Sequence, residues 1–270
     1  MVMEKEHPVL EHGLVYPVGN THLSYYEDVS EIFEEEGAAI EDGHVMTVGA
    51  DLVGWWLKDR YPGAEVTTVE VNPYAAYMQN FAGYQLENGR RPAEVKQLMG
   101  VEDSDNQLPG FLEEERVPRD VEEAHLDYVN DPETAFNQVP DFEMMRFANG
   151  DFYPEILDEI GSSARRPDRS VVEDVRDAGL PEVDVAFTNN VSDRMGRGSD
   201  IESFQQVMED VLADDACLEM YSSTNREEVR HQLEESDGAF SDIRFNPDVD
   251  FWWVPGDYMD RDDPLVALAL

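Results

Sequence analysis

The residues with the clearest chemical potential in this chain are a glycine and an acid. Gly49 ends the short apolar run Val45 to Val48, and Glu70 follows it by 21 residues, near the end of a second apolar run, Val66 to Val71. A glycine turn after a buried strand leaves room for a ligand against the backbone. An acid ~20 residues further on can accept hydrogen bonds from ribose hydroxyls. Between the two, Asp51 to Tyr61 has the length and spacing of a crossover helix, and Pro62-Gly63 stops it. The stretch His44 to Pro73 therefore reads strand, glycine turn, helix, strand.

Two later groups share that placement. Asn149-Gly150-Asp151-Phe152 follows an apolar run at Met144 to Ala148. Asp151 could accept a hydrogen bond from an exocyclic amine and Phe152 could stack on a flat base, although Asn-Gly also makes ordinary turns. Asn189-Asn190 follows the run Val183 to Thr188, with Asp193 and Arg194 one turn on. In open α/β sheets ligands bind outside the carboxyl ends of the strands. Uncharged amides there could hold a cofactor or a substrate, or simply cap a turn. Other chemistries lack their signatures. The six histidines have no metal-ligand spacing, and there is no G-x-S-x-G elbow or Walker A sequence. Cys217 is the single cysteine, which excludes an intrachain disulfide and a cysteine-cluster metal site. Its neighbours Ala216, Leu218, Met220 and Tyr221 read as a strand that buries it.

The elements that would position these groups alternate between strand and helix. Residues 1–23 read as an irregular arm, and Ser24 to Gly37 as a helix with Tyr25, Val29, Ile32 and Phe33 on one face. A second helix runs from Tyr74 to about Glu87. Residues 90–142 carry Pro92, Pro109-Gly110, Pro118, Pro132 and Pro140 and read as an insert with helical pieces around 93–100 and 120–130. Met144 to Ala148 is read as the third strand and Val183 to Thr188 as the fourth, with short helices at 153–161 and 170–178 between them. A helix from Ser199, a fifth strand at Ala216 to Tyr221 and a helix over Asn225 to Glu235 follow. Ile243 to Phe245, Phe251 to Val254 and Leu265 to Leu270 supply the last strands. Trp55-Trp56 and Trp252-Trp253 are read chiefly as core, with one exposed member of each pair as the alternative. The expected fold is α/β: a doubly wound, mostly parallel seven-stranded Rossmann-like sheet with an antiparallel C-terminal strand. Residues 1–40 form an N-terminal arm and helix, and 41–270 a Rossmann-like domain with the insert at about 90–142.

Charge narrows the function. The chain holds 61 acids against 19 bases, for a net charge of −42, and its only lysines are Lys5, Lys58 and Lys96. The acids are spread along the whole sequence and aromatics make up 10%, which separates this composition from a disordered acidic tail. Acid excess with few lysines resembles proteins of extreme halophiles, whose folded surfaces are screened by salt. The same balance disfavours nucleic acid as a partner, because phosphate contacts need clustered bases. No window reaches 18 consecutive apolar residues, so no transmembrane segment is expected, and the start of the chain lacks a signal-peptide core. A cytoplasmic protein is expected, with homo-oligomerisation left open.

Taken in order, these sites resemble the S-adenosylmethionine-dependent methyltransferase superfamily over about residues 40–225, the insert excepted. The resemblance implies S-adenosylmethionine as co-substrate. Gly49 and Asp51 would lie by its methionine part, Glu70 by the ribose, and Asp151 with Phe152 by the adenine. Asn189 and Asn190 would line the same edge. The glycine loop departs from the family pattern, with Thr47 in place of the usual acid and Asp51 and Val53 in place of two glycines. A narrower similarity links Tyr26-Glu27-Asp28, Glu70-Val71-Asn72-Pro73 and Asn189 to Asp193 to enzymes that move a 3-amino-3-carboxypropyl group from S-adenosylmethionine to diacylglycerol. It implies a cofactor contact for Asn72. The expected activity is methyl transfer to a small or lipid-like acceptor. Aminocarboxypropyl transfer is the second reading, and a non-catalytic binding or assembly protein that keeps the fold is the third. Asp193 and Tyr26 are the candidates for removing a proton from the acceptor.

Overall fold

The computed structural model describes residues 23–49, 52–70, 73–99, 155–161, 164–171, 175, 178–188, 207–222, 231, 243–245 and 265–269. Helix α1 (Leu23–Glu36) leads into strand β1 (His44–Val48), helix α2 (Val53–Arg60) and strand β2 (Glu65–Val69). Helices α3 (Pro73–Glu87), α4 (Pro92–Met99) and α5 (Glu155–Ile160) come next. Strands β3 (Arg169–Val171), β4 (Val183–Phe187), β5 (Leu212–Ser222), β6 (Ile243–Phe245) and β7 (Leu265–Ala269) complete the order.

The strands form one sheet in the order β3-β2-β1-β4-β5-β7-β6. The pairs from β3 through β5 are parallel, and β7 pairs antiparallel with both β5 and β6. The α/β expectation with a parallel sheet holds. The order reverses between β1 and β4, which makes their carboxyl ends the switch point where such sheets bind ligands.

Strand periodicity divides the core into two layers. On one side Val45, Val66, Val185, Phe187 and Cys217 pack with α1, α2 and α5. On the other, Met46, Val69, Ala186, Leu218 and Met220 pack with Ala178 and Met208. The two buried strands β1 and β2 are rich in β-branched residues because both of their faces are covered. Register sets a row across the first face near the carboxyl ends: Thr68, Thr47, Phe187 and Glu219.

The helices over that row are held by shape and by polar ties. A Cβ at Gly54 would lie 2.2 Å from the Thr68 methyl, and one at Gly83 would lie 2.2 Å from the Trp55 ring. These two glycines let α2 sit close on the sheet and α3 close on α2. Trp55 and Trp56 are both buried, at 1% and 5% exposure, as the core reading expects. Adjacent tryptophans can both be covered because Trp55 faces α3 while Trp56 lies under the Arg60 guanidinium, 5.3 Å from its ring centroid. Trp252-Trp253 lies outside the described residues.

One assignment needs correction. Arg169–Val171 is a strand, whereas Ser170 and Val171 were expected to begin a helix. Pairing decides it: Arg169, Ser170 and Val171 align with Thr67, Thr68 and Val69, and Asn80 of α3 donates to the Ser170 hydroxyl at 3.1 Å. The place beside β2 thus belongs to Arg169–Val171, and Met144 to Ala148 lies outside the described residues, as does the insert beyond α4. The fifth strand is longer than expected, beginning at Leu212. Among the described residues no helix is long and apolar enough to cross a membrane.

Candidate functional site

Gly49 and Glu70 meet at the carboxyl edge of the sheet. Val48 is paired with Val69, so the next residue of each strand is Gly49 on one side and Glu70 on the other. Twenty-one residues of sequence become one step across the ladder. Gly49 has φ +127°, a conformation that favours glycine. Its peptide is pinned on both sides: its N–H donates to the Val69 carbonyl at 3.1 Å, and its carbonyl accepts from the Gln79 amide at 3.0 Å. Glu70 is 8% exposed, and its N–H donates to the Val171 carbonyl at 3.0 Å. Gly49 is therefore tied to β2, β2 to β3, and Gly49 and β3 each to α3.

Across the switch point, β4 ends beside β5. The Thr188 N–H lies 3.1 Å from the Glu219 carbonyl and 2.9 Å from its Oε2. The Thr188 hydroxyl donates to the Glu219 carbonyl at 2.7 Å. Glu219 is fully buried, and its Oε1 accepts from the Tyr25 hydroxyl at 2.5 Å. Tyr26 stands next to that contact, 1% exposed, with its ring edge-on to Tyr25 and to Phe187 at centroid distances of 5.4 and 6.3 Å. The first turn of α1 thus lies over the carboxyl end of β4 and β5.

Of the residues singled out in the sequence, Gly49 and Glu70 are brought together, and Tyr26 belongs to the core layer on the β4 side. Asp51, Asn72, Asp151, Phe152, Asn189, Asn190 and Asp193 lie outside the described residues. The strand beside β2 is followed in sequence by Val172-Glu173-Asp174, so an acid follows β3 as well as the Met144 to Ala148 run. Sequence reasoning missed Glu219, Gln79 and the hydroxyl of Tyr25. Glu219 carried a signal: it is an acid with apolar neighbours on both sides in a strand, and a buried carboxylate needs donors. Gln79 carried none, because a polar residue in a helix is ordinary.

The arrangement places Gly49 and Glu70 side by side at the end of a parallel sheet. That pair suits a ligand presenting both a polar chain and vicinal hydroxyls. Gly49 lacks a Cβ and has positive φ where β1 ends, and Glu70 stands one strand away. Among the described residues no cluster of three or more histidine, cysteine, aspartate or glutamate side chains could hold a metal ion.

No protein-family model matches the chain, and no curated protein matches it. Among solved structures it is similar to a precorrin-6y C5,15-methyltransferase from Geobacter metallireducens GS-15, at 13% identity and TM-score 0.37, covering 85% of this chain and 80% of that one. It is similar to an S-adenosylmethionine-dependent O-methyltransferase (TM0748) from Thermotoga maritima, at 12% identity and TM-score 0.41, covering 92% and 66%. A third is a TehB-like S-adenosylmethionine-dependent methyltransferase from Corynebacterium glutamicum, at 11% identity and TM-score 0.38, covering 90% and 95%. Superpositions this loose add nothing to what the strand order and the edge residues support.

Proposed function

We propose that this chain binds S-adenosylmethionine at the β1–β4 switch point and transfers its methyl group to a small or lipid-like acceptor. The observation that carries the reading is the side-by-side placement of Gly49 and Glu70, with the Gly49 peptide fixed by Val69 and Gln79. In this reading Glu70 accepts the ribose hydroxyls, and Gly49 with Asp51 lies along the methionine part. Asn72, Asn189 and Asn190 hold the remaining polar groups, and Asp151 with Phe152 faces the adenine. When bound, the sulfonium supplies an electrophilic carbon and needs no further activation. The protein aligns the acceptor and removes its proton. Asp193 is the first candidate for that proton. Tyr26, with its ring enclosed in the core layer, contributes as a wall of the site before it contributes as a base.

The balance of the step is simple. The acceptor's lone pair forms a bond to the methyl carbon, the sulfur keeps the electrons of the bond that breaks, and the acceptor loses a proton. Displacement at the aminocarboxypropyl carbon obeys the same balance and is favoured by Glu70-Val71-Asn72-Pro73. Product analysis separates the two. In multimolar KCl, with diacylglycerol vesicles and a small-metabolite extract as acceptors, S-adenosylhomocysteine marks methyl transfer and methylthioadenosine marks the alternative. Binding with neither product points to a binding or assembly protein. The choice of salt follows from the net charge of −42, which we read as adaptation to a saline cytoplasm.

A further inference from the structure

Glu219 is a fully buried carboxylate that the proposed reaction does not use. Burying such a group is costly unless donors surround it. Among the described residues, donors reach it from two separate parts of the fold: the Tyr25 hydroxyl of α1 on Oε1 and, just past β4, the Thr188 N–H on Oε2. Thr188 also closes a second bond with its hydroxyl on the Glu219 carbonyl. The tie sits where β4 leaves the sheet, at the switch point. The other end of α1 has a separate anchor, in which the Tyr61 hydroxyl donates to Glu34 at 2.5 Å and accepts from Arg60 at 3.0 Å.

We propose that Glu219 is a positioning residue: it clamps Thr188, the residue that follows β4, to the first turn of α1 and so presets the β4 side of the ligand site. The proposal rests on the reading that the ligand sits at the switch point. With both oxygens occupied by protein donors, Glu219 acts through Thr188 and not on the substrate. The chemistry of the donors predicts how variants behave. A tyrosine hydroxyl can donate or accept, whereas a backbone N–H can only donate. Glutamine at 219 can therefore turn its oxygen to Thr188 and its amide to Tyr25, and the clamp survives without charge.

The test uses the full chain in multimolar KCl with S-adenosylmethionine as the probe. Tyr25→Phe keeps the packed ring and removes one donor. It is expected to weaken binding by about tenfold and to speed amide exchange at Thr188 by about tenfold, read by NMR. Exchange at the Val66 amide, at the opposite edge, stays at its wild-type rate. Glu219→Gln is expected to bind within about threefold of wild type. Tyr61→Phe, which cuts the other anchor of α1, lowers the melting temperature and leaves affinity unchanged. The clamp is overturned if Tyr25→Phe lowers the melting temperature but leaves both affinity and Thr188 exchange as in wild type. It is also overturned if Glu219→Gln loses most of the binding while remaining folded, since the charge would then act directly. If wild-type protein fails to bind the probe, the proposed function fails, and Thr188 exchange in Tyr25→Phe alone decides the clamp.

Discussion

The two edges of the sheet carry similar residues and put them to different use. At the amino edge His44 makes three bonds: its N–H donates to Asp184 at 2.6 Å, and its ring nitrogens lie 3.0 Å from the Glu182 carbonyl and 2.9 Å from the Thr67 hydroxyl. Beside it, Asp168 accepts from Lys58 at 2.7 Å and from the Val66 N–H at 2.9 Å, while Lys58 also reaches the Ala64 carbonyl at 2.6 Å. These bonds tie β1, β2 and α2 to residues in or directly before β2, β3 and β4, so the amino edge is stitched together. At the carboxyl edge the ties hold backbone in place, at Gly49 through Gln79 and at Thr188 through Glu219. Gly49 and Glu70 are the first residues past the ends of β1 and β2. Acids are common everywhere in this chain, and topology, not acidity, separates the two roles.

That contrast can be broken from either side. The largest effect is expected at Gly54 on the carboxyl side. Gly54→Ala drives a methyl into Thr68, a stiff β-branched side chain, and should cost about 3 kcal/mol by denaturant unfolding in KCl. It should weaken S-adenosylmethionine binding as well, because α2 follows the glycine loop. Asp168→Asn on the amino side should cost about 1 kcal/mol, since its carboxyl is 42% exposed and solvent screens the pair. Ligand affinity should not change. A loss of affinity in Asp168→Asn would erase the distinction between the edges.

Two pH effects sharpen it further. Burial pushes the Asp168 carboxyl upward, but the hydrogen bonds from Lys58 and from the Val66 N–H, with the Lys58 charge, hold it below the ordinary 3.8. Its contribution is therefore complete above pH 3.8 and is lost as the pH falls through its lowered value. Acid unfolding of Asp168→Asn should lack that part of the transition. Tyr61 behaves in the opposite sense. Burial first, then the bond to Glu34, push its phenol from 10.0 up to about 12 against the pull of Arg60. The neutral phenol's contribution is complete below pH 10.0 and declines as the pH rises toward about 12. Tyr61→Phe should flatten the alkaline limb of the stability curve, the smallest effect of the set.

Much of the scaffold was legible because its strands are buried on both faces. Val45 to Val48, Val66 to Val71 and Val183 to Thr188 are largely apolar, β-branched runs flanked by Gly49, Pro62-Gly63 and Pro181. Their boundaries in the fold differ by a residue or two. The spacing from Gly49 to Glu70 was legible for the same reason, since strand, crossover and strand fix it. Arg169–Val171 was not, because three residues on an edge carry no periodicity. Only their pairing with Thr67, Thr68 and Val69 defines the strand. Glu219 was hidden by composition: with 61 acids in the chain, one more in a strand stands out only when its apolar neighbours are weighed. The two lysines among the described residues show the converse. Lys58 and Lys96 each lie within 2.7 Å of an aspartate, Asp168 and Asp158, so the rare residue marks ties between separate elements.

The central claim is that Glu70, beside Gly49, holds the nucleoside of S-adenosylmethionine, and titration calorimetry in multimolar KCl tests it most directly. Wild-type protein should bind S-adenosylmethionine, and Glu70→Ala should bind about a hundredfold more weakly, the loss of two charge-assisted hydrogen bonds. No heat from wild-type protein, or equal affinity in Glu70→Ala, would contradict the account.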